Sequence, residues 1–267
     1  MFKKLARLIV LPLSLILGAA LATSVKPTSQ VIPVKEPASP CSDMVFAGVF
    51  PKTTAATTVL CKRRYVIGYA QDQRAPLWTA EYLSAKSVRT AHDKKLQRVD
   101  NFRQDPSVPA DHQSQLAEFA RSGYDRGHQV PFEDLADDAV AADESFFMTN
   151  MVPQAPENNR QIWRSLEEKV RKLATQKGSI YVITGPIFDP KPQRLARGTP
   201  VPSKLYKIVI SHSTQEVWTY IIPNVNGLDT ASLPKYLVTL KDLHDQNPQL
   251  QPLPTAAQLK DMKVLPV

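Results

Sequence analysis

One stretch of this sequence gathers a histidine, arginines, asparagines and an aspartate at short spacings: Gly123-Tyr124-Asp125-Arg126-Gly127-His128, then Met148-Thr149-Asn150-Met151-Val152-Pro153-Gln154, then Asn158-Asn159-Arg160. Those types supply a base for an attacking water, an oxygen for a cation and donors for a crowded anionic transition state, which are the parts that cutting a phosphodiester requires. His128 suits the base, because a neutral imidazole titrates near physiological pH and accepts a proton without first losing one. Asn159 offers a carbonyl oxygen to a hard cation such as Mg2+, which takes few protein ligands and keeps most of its waters. Glu167 follows eight residues later, about 12 Å further along a helix. Helical side chains lean toward the N-terminus, so Glu167 can point back and hold waters around such a cation. Each residue also has a plain structural reading. His128 can be a surface or capped core residue, Asn159 a helix cap, and Glu167 the partner of Arg171 in a solvated i,i+4 pair. The order and spacing of the three together favour the chemical reading.

These residues need elements to position them. Ile162, Trp163, Leu166, Val170 and Leu173 recur at intervals of three and four, which predicts a helix over 158–175 with its apolar face on a core; Gly178 stops it. The β-branched run Ser179–Ile183, ended by Gly185-Pro186, predicts a buried central strand, with further strands at Leu205–Ser211 and Glu216–Ile222. Upstream, Leu60–Tyr69 and Leu77–Leu83 read as a strand pair across the turn 71–76. Residues 89–123 are polar and read as a long irregular connection with one short helix around Gln113–Arg121. Lys235–Leu243 fits strand or short helix equally, and the proline-bearing last twenty residues are expected to lie extended on the surface.

With 267 residues, 43% hydrophobic and 22% charged, the chain is long enough for a full core and has the balance of a soluble globular protein. Residues 1–22 read as a signal peptide: Lys3, Lys4 and Arg7, an apolar run Leu8–Leu17, and Ala20-Leu21-Ala22 as a cleavage site near Ala22. The chain is therefore expected to be secreted or periplasmic, with an uncleaved N-terminal anchor as the alternative and no stable membrane span once the signal is cleaved. Residues 23–40, rich in Pro, Ser, Thr and Val, read as a flexible tether, leaving 41–267 as one catalytic domain. Removing residues 1–22, which hold three basic and no acidic residues, lowers the formal charge from +8 to +5, which still suits a polyanionic partner. Cys41 and Cys61, the two cysteines, are expected to pair, since exported chains with an even count favour disulfides.

The set Asp125-Arg126-Gly127-His128, Thr149-Asn150-Met151-Val152-Pro153-Gln154 and Asn158-Asn159-Arg160-x-x-Trp163-x-x-Leu166-Glu167 resembles the DNA/RNA non-specific endonuclease family, in its bacterial secreted form. Arg98-Val99-Asp100-Asn101-Phe102-Arg103, Tyr181–Pro186 and Pro223-Asn224 fit it too, so the likeness runs from about Cys41 to at least residue 225. The resemblance implies an α+β fold: a central, mostly antiparallel sheet flanked by helices, with a ββα-metal (His-Me finger) site, His128 at a strand end and Asn159 on the following helix. It implies His128 as general base, Asn159 as the direct ligand of Mg2+ (Mn2+ as substitute), Glu167 as organiser of the cation's waters and Arg98 as transition-state donor. Arg103, in the same loop, is the rival for that last role. Asp125 and Arg126 would brace the site, Arg126 by pairing Glu167, and Asn150 would orient its neighbours. The products implied are 5′-phosphate and 3′-hydroxyl ends of DNA and RNA. A protein inhibitor is a possible partner, and monomer or homodimer a possible state. Two other readings are a nuclease toxin and a non-catalytic nucleic-acid binder for DNA uptake; the first wants a delivery domain, the second sits poorly with an intact His128, Asn159 and Glu167.

Overall fold

The structure, a computed structural model, describes residues 40–253, 257 and 259–265. The signal peptide reading over 1–22 and the tether up to residue 39 lie outside the described residues. Along the chain come β1 (Thr58–Cys61), β2 (Tyr65–Ala70), β3 (Ala75–Ser84), α1 (Ala85–Lys94), α2 (Leu116–Phe119) and β4 (Asp125–His128). Then follow α3 (Phe132–Leu135), α4 (Ala139–Glu144), β5 (Met151–Gln154), α5 (Arg164–Lys177) and β6 (Ser179–Ile187). The chain continues with β7 (Lys204–Ser211), β8 (Glu216–Pro223), β9 (Leu237–Val238), α6 (Leu240–Gln246) and β10 (Lys260–Asp261).

Among the described residues, eight strands form one sheet in the order β1-β2-β3-β6-β7-β8-β10, with β9 also on β8; all pair antiparallel except β10. This is the mostly antiparallel, helix-flanked α+β architecture expected. β4 and β5 form a separate antiparallel pair in which His128 stands opposite Met151. The apolar stripe of α5 (Leu166, Val170, Leu173, Ala174) buries with Leu83, Ile180, Val182, Val209 and Trp218 of the sheet. Each such fully buried side chain contributes roughly 1.5–3 kcal/mol, which anchors the helix that carries Glu167 to a rigid floor.

Several local expectations change. The run Leu60–Tyr69 is a hairpin of two strands broken at Lys62-Arg63-Arg64, whose side chains turn out to meet Asp105, Asp138 and Asp137. Residues 89–94 are not irregular: they complete α1, which the Ser84 side chain starts by capping the Ser87 N–H while Ser87 reciprocates. With only Ala85 and Ser87 buried on it, α1 lacks the apolar stripe that betrays a helix in sequence. The helix expected at Gln113–Arg121 shortens to α2. β6 runs on through Gly185-Pro186, because its ladder with β3 ends at Thr184 and Pro186 lies where β7 is the remaining partner. Gly185 is needed there: a Cβ would come within 2.5 Å of the Leu77 carbonyl. Residues 235–243 supply both a short strand and the start of α6. The C-terminal stretch is not merely laid on the surface, since β10 pairs parallel with β8 and Trp218 Nε1 donates to the Val264 carbonyl at 2.9 Å. Cys41 and Cys61 form the expected disulfide.

Candidate active site

The motif strand β4 carries Asp125 and His128 at opposite ends of the β4–β5 pair, and both line one cleft together with Arg126. Gly127 is required by that pairing: a Cβ there would lie 2.2 Å from Oε1 of Gln154 on β5. The turn after His128 is held by Asn150, whose Oδ1 accepts from the Val130 N–H at 3.0 Å and whose Nδ2 donates to the carbonyls of Val130 and Ser145, both at 2.9 Å. Asn150 is fully buried, so these bonds lock the backbone that follows the histidine.

Between β5 and α5 the chain makes a π-helical turn, Asn158–Trp163, a wide turn often found at functional sites. Here the two adjacent asparagines diverge. Asn158 is buried, accepting from Gln154 Nε2 at 2.8 Å and donating to the Pro223 carbonyl at 2.7 Å. Asn159 instead lines a cleft, its Nδ2 donating to Asp125 Oδ2 at 3.0 Å. It is no helix cap, since Glu157 occupies that position. Asp125 also takes a two-pronged ion pair from Arg160, at 2.8 and 2.7 Å.

The cleft has a volume of about 710 Å³ and is walled by His128, Asn159, Glu167, Asp125, Arg126 and Arg98, with Arg160, Arg164 and Arg171 also on its lining. Arg98 sits at the rim, paired with Asp100 at 2.8 Å and 3.7 Å from Glu133, its guanidinium over the Phe146 and Phe132 rings. Arg103 is outside the lining, pairing with Asp143 at 2.5 Å and stacking on Phe147. One pairing expected from the sequence is corrected, and one plain structural reading is set aside. Arg126 does not pair with Glu167; its guanidinium lies 4.1 Å over the ring of Phe102 and, among the described residues, meets no carboxylate. Nor is Glu167 in a solvated pair with Arg171. Glu167 is 9% exposed, and Arg171 reaches across to Asp134 of α3 at 2.8 Å, because the sheet floor buries this face of α5.

Burial governs the electrostatics. His128 is 9% exposed with its Nε2 lacking any partner, and burial followed by the nearby Arg98 and Arg126 charges lowers its pKa to about 3. The imidazole is thus neutral at physiological pH and presents a lone pair. Glu167 moves the other way: burial raises it to about 7, Asp134 adding to the rise while Lys207 and Arg171 oppose it. Lys207, buried in the middle of β7 with its Nζ 2.7 Å from Thr184 Oγ1, is held below the usual lysine range by burial. Below the cleft, Glu81 of β3 is buried as well and pushed up by its burial and by Asp134.

Sequence reasoning did not assign Lys207, Glu81, Arg160 or Phe102 a role. A signal existed for the first two, a lone lysine and a lone glutamate inside otherwise apolar strand runs; for Arg160 and Phe102 the partners become neighbours only in the fold.

As a metal site the donors fit a hard cation with few protein ligands. No cluster of three or more His, Cys, Asp or Glu side chains suited to a metal occurs among the described residues. What the cleft provides is the Asn159 amide, tied through its nitrogen, near the buried carboxylate of Glu167. That is a set of oxygens suited to Mg2+ or Mn2+ and poor for zinc.

The chain is similar to known nucleases in sequence and in fold. A family model described as DNA/RNA non-specific endonuclease matches residues 45–258. Nuclease C1 of Cunninghamella echinulata var. echinulata is 33% identical over 220 residues, covering 77% of this chain and 86% of the relative. Mitochondrial endonuclease G of Homo sapiens is 29% identical over 196 residues, covering 68% of this chain and 65% of the relative. A chain from the crystal structure of the EndoG/EndoGI complex superposes with a TM-score of 0.66 at 27% identity, covering 77% of this chain and 90% of that one.

Proposed function

Because the chain belongs to the DNA/RNA non-specific endonuclease family, we propose that its cleft hydrolyses phosphodiester bonds of DNA and RNA without regard to sequence, in a reaction dependent on a divalent cation. The observation that carries the reading is the buried, neutral, unpartnered Nε2 of His128 in the same cleft as Asn159, Glu167 and Arg126. A buried polar atom without a partner is costly, and on a residue that lines a cleft it suits a partner that arrives with the substrate.

His128 Nε2 takes the proton of the attacking water. Its neutrality over the physiological range means that this step needs no prior loss of a proton. Arg126, held 4.1 Å over the Phe102 ring and without a carboxylate partner among the described residues, offers its fork of N–H donors to the non-bridging phosphate oxygens. Arg98, at the rim, adds charge as the transition state becomes more anionic. Every basic residue on the cleft lining is an arginine, balanced by Asp100, Asp125, Glu133, Glu167 and Glu168. Five carboxylates beside five guanidinium groups leave little net attraction for a polyanion, which is a reason for a cation to join the site. Asn159 Oδ1 would hold Mg2+ or Mn2+, with Glu167 organising its surroundings; once bound, the cation would neutralise charge on the phosphate and on the leaving O3′. The P–O3′ bond breaks as the water oxygen bonds to phosphorus, and O3′ takes a proton from solvent, leaving 5′-phosphate and 3′-hydroxyl ends. Contacts to phosphate carry no base information, which accounts for cutting without sequence preference.

The Cys41–Cys61 bridge supports a secreted or periplasmic location. No described helix is long and apolar enough to cross a membrane. A protein inhibitor is the partner class proposed beside nucleic acid, since the superposed chain was solved in the EndoG/EndoGI complex, in which EndoG is inhibited. The deciding assay incubates the purified protein with supercoiled plasmid and with RNA in Mg2+ or Mn2+ and maps the ends. Nicking followed by degradation, lost in His128→Ala, is expected. Both polymers left whole in both metals, with binding retained, would point to the non-catalytic binder instead.

A further inference from the structure

A catalytic histidine is ordinarily aimed by a carboxylate or carbonyl on its far nitrogen. Among the described residues no carboxylate bonds His128: its ring is held by one hydrogen bond to the backbone of Arg126, and its remaining contacts are aromatic. Phe102 lies 5.5 Å from the imidazole at a tilt of 58°, and Phe146 lies 5.2 Å away edge-on at 88°. The two phenyl rings are themselves 5.1 Å apart and perpendicular. Three rings thus make a closed set, in which each ring's edge or face is matched to another, as aromatic quadrupoles prefer.

The same two rings also seat the cations. The Arg126 guanidinium rests 4.1 Å over Phe102 and that of Arg98 5.1 Å over Phe146. A guanidinium over an aromatic face keeps its in-plane N–H donors open to a phosphate, whereas a carboxylate partner would occupy them. Phe102 stands in the irregular stretch between α1 and α2, Phe146 after α4 and His128 at the end of β4, so the set assembles from three separated parts of the chain.

We propose that Phe102 is a positioning residue of the active site, a single aromatic platform that holds the His128 imidazole and the Arg126 guanidinium in register with one another, with Phe146 closing the set. The inference rests on the reading of His128 as base. Phe102 touches neither water nor phosphate in this account; it acts through the two residues it carries. Its removal leaves the histidine ring held only by the Arg126 backbone bond and Phe146, and the guanidinium free to fold onto one of the carboxylates that line the cleft.

The test compares Phe102→Leu, which keeps apolar volume but loses the ring face, with Phe102→Tyr, which keeps it. Three measurements are made: kcat and KM on plasmid in Mg2+, thermal melting, and the imidazole 15N signals of His128 in the metal-free protein. The expected result for Phe102→Leu is a fall in kcat of about 10- to 100-fold with KM changed less than threefold, a misplacement effect of the usual size. Its His128 signals should change from one tautomer to an exchanging mixture. Phe102→Tyr should restore kcat to within threefold of wild type and the single tautomer with it. The groups facing the ring in both variants stay the same, namely Arg98, Asp100 and Arg126, so a change in the signals reports ring placement. The proposal is overturned by a Phe102→Leu protein with wild-type kcat, or by one whose His128 signals are unchanged while activity drops only in proportion to the unfolded fraction. Loss of the base assignment itself shows differently, as full activity in His128→Ala, and the 15N signals decide the platform either way.

Discussion

Asn159 donates its side-chain N–H to Asp125 across the cleft at 3.0 Å, and that bond decides which end of the amide is left to accept a cation. The aspartate that opens the Asp125–His128 strand is therefore tied to the asparagine 34 residues later. Removing Asp125 releases both the amide and Arg160.

Asp125→Ala is expected to raise the Mg2+ concentration needed for half-maximal cleavage by about 10- to 100-fold, the usual cost of losing a group that orients a ligand. A metal titration of plasmid cleavage measures it. An unchanged midpoint would separate Asp125 from the cation.

The pH profile should have its acid limb set by Glu167 and not by His128. Glu167 sits at about 7 because of burial, so it gains a proton as pH falls through that value, while His128, at about 3, stays neutral. In kcat/KM, which reports the free enzyme, activity should fall below about pH 7, and the residual activity of Glu167→Gln should lose that limb. A limb near the ordinary histidine value that persists in Glu167→Gln would contradict this. Stability responds with opposite signs. The Glu167 contribution, from a raised pKa, is present below the unfolded carboxylate value and lost as pH rises through about 7. The His128 contribution, from a lowered pKa, is present above the unfolded imidazole value and lost as pH falls toward about 3.

Arg98 and Arg103 can be told apart by where their loss is felt. Arg98→Ala should lower kcat by about 100-fold, as for removal of one transition-state donor. Arg103→Ala, whose side chain ties Asp143 and covers Phe147 away from the cleft, should cost about 1 kcal/mol of stability and leave kcat within twofold. Steady-state kinetics beside thermal melts distinguish the two; a reversed pattern would reassign the donor.

The Cys41–Cys61 bridge closes a loop of 20 residues, and the double variant Cys41→Ser/Cys61→Ser should lose about 3 kcal/mol by the loop-entropy argument. Urea melts with and without reductant give the value. Wild type insensitive to reductant at every urea concentration would remove the bridge as a stabiliser.

How much of this could be read before folding depends on whether the information is local. The helix under Glu167 was legible because Ile162, Trp163, Leu166, Val170 and Leu173 repeat at the helical interval, and a buried stripe must do so. The strands β3, β6, β7 and β8 were legible for the same reason, as apolar β-branched runs between turns. The members of the site were legible because the Asp125–His128 strand and the Asn159–Glu167 turn and helix keep short, rigid spacings. Helix α1 was not, since it is started by a cap between Ser84 and Ser87 and has hardly any buried face.

Local pattern thus named the residues that could serve the chemistry and the elements that carry them. Their partners were settled by packing between distant parts of the chain. Arg126 rests on Phe102 instead of pairing with Glu167, Arg98 lines the cleft while Arg103 turns to Asp143, and Glu167 lies buried in the field of Lys207 and Asp134. The physical reason is that periodicity and capping act over a few residues, whereas burial and the Coulomb interactions that set a group's charge depend on distance in space, and distance in space is fixed when the sheet and α5 close on one another.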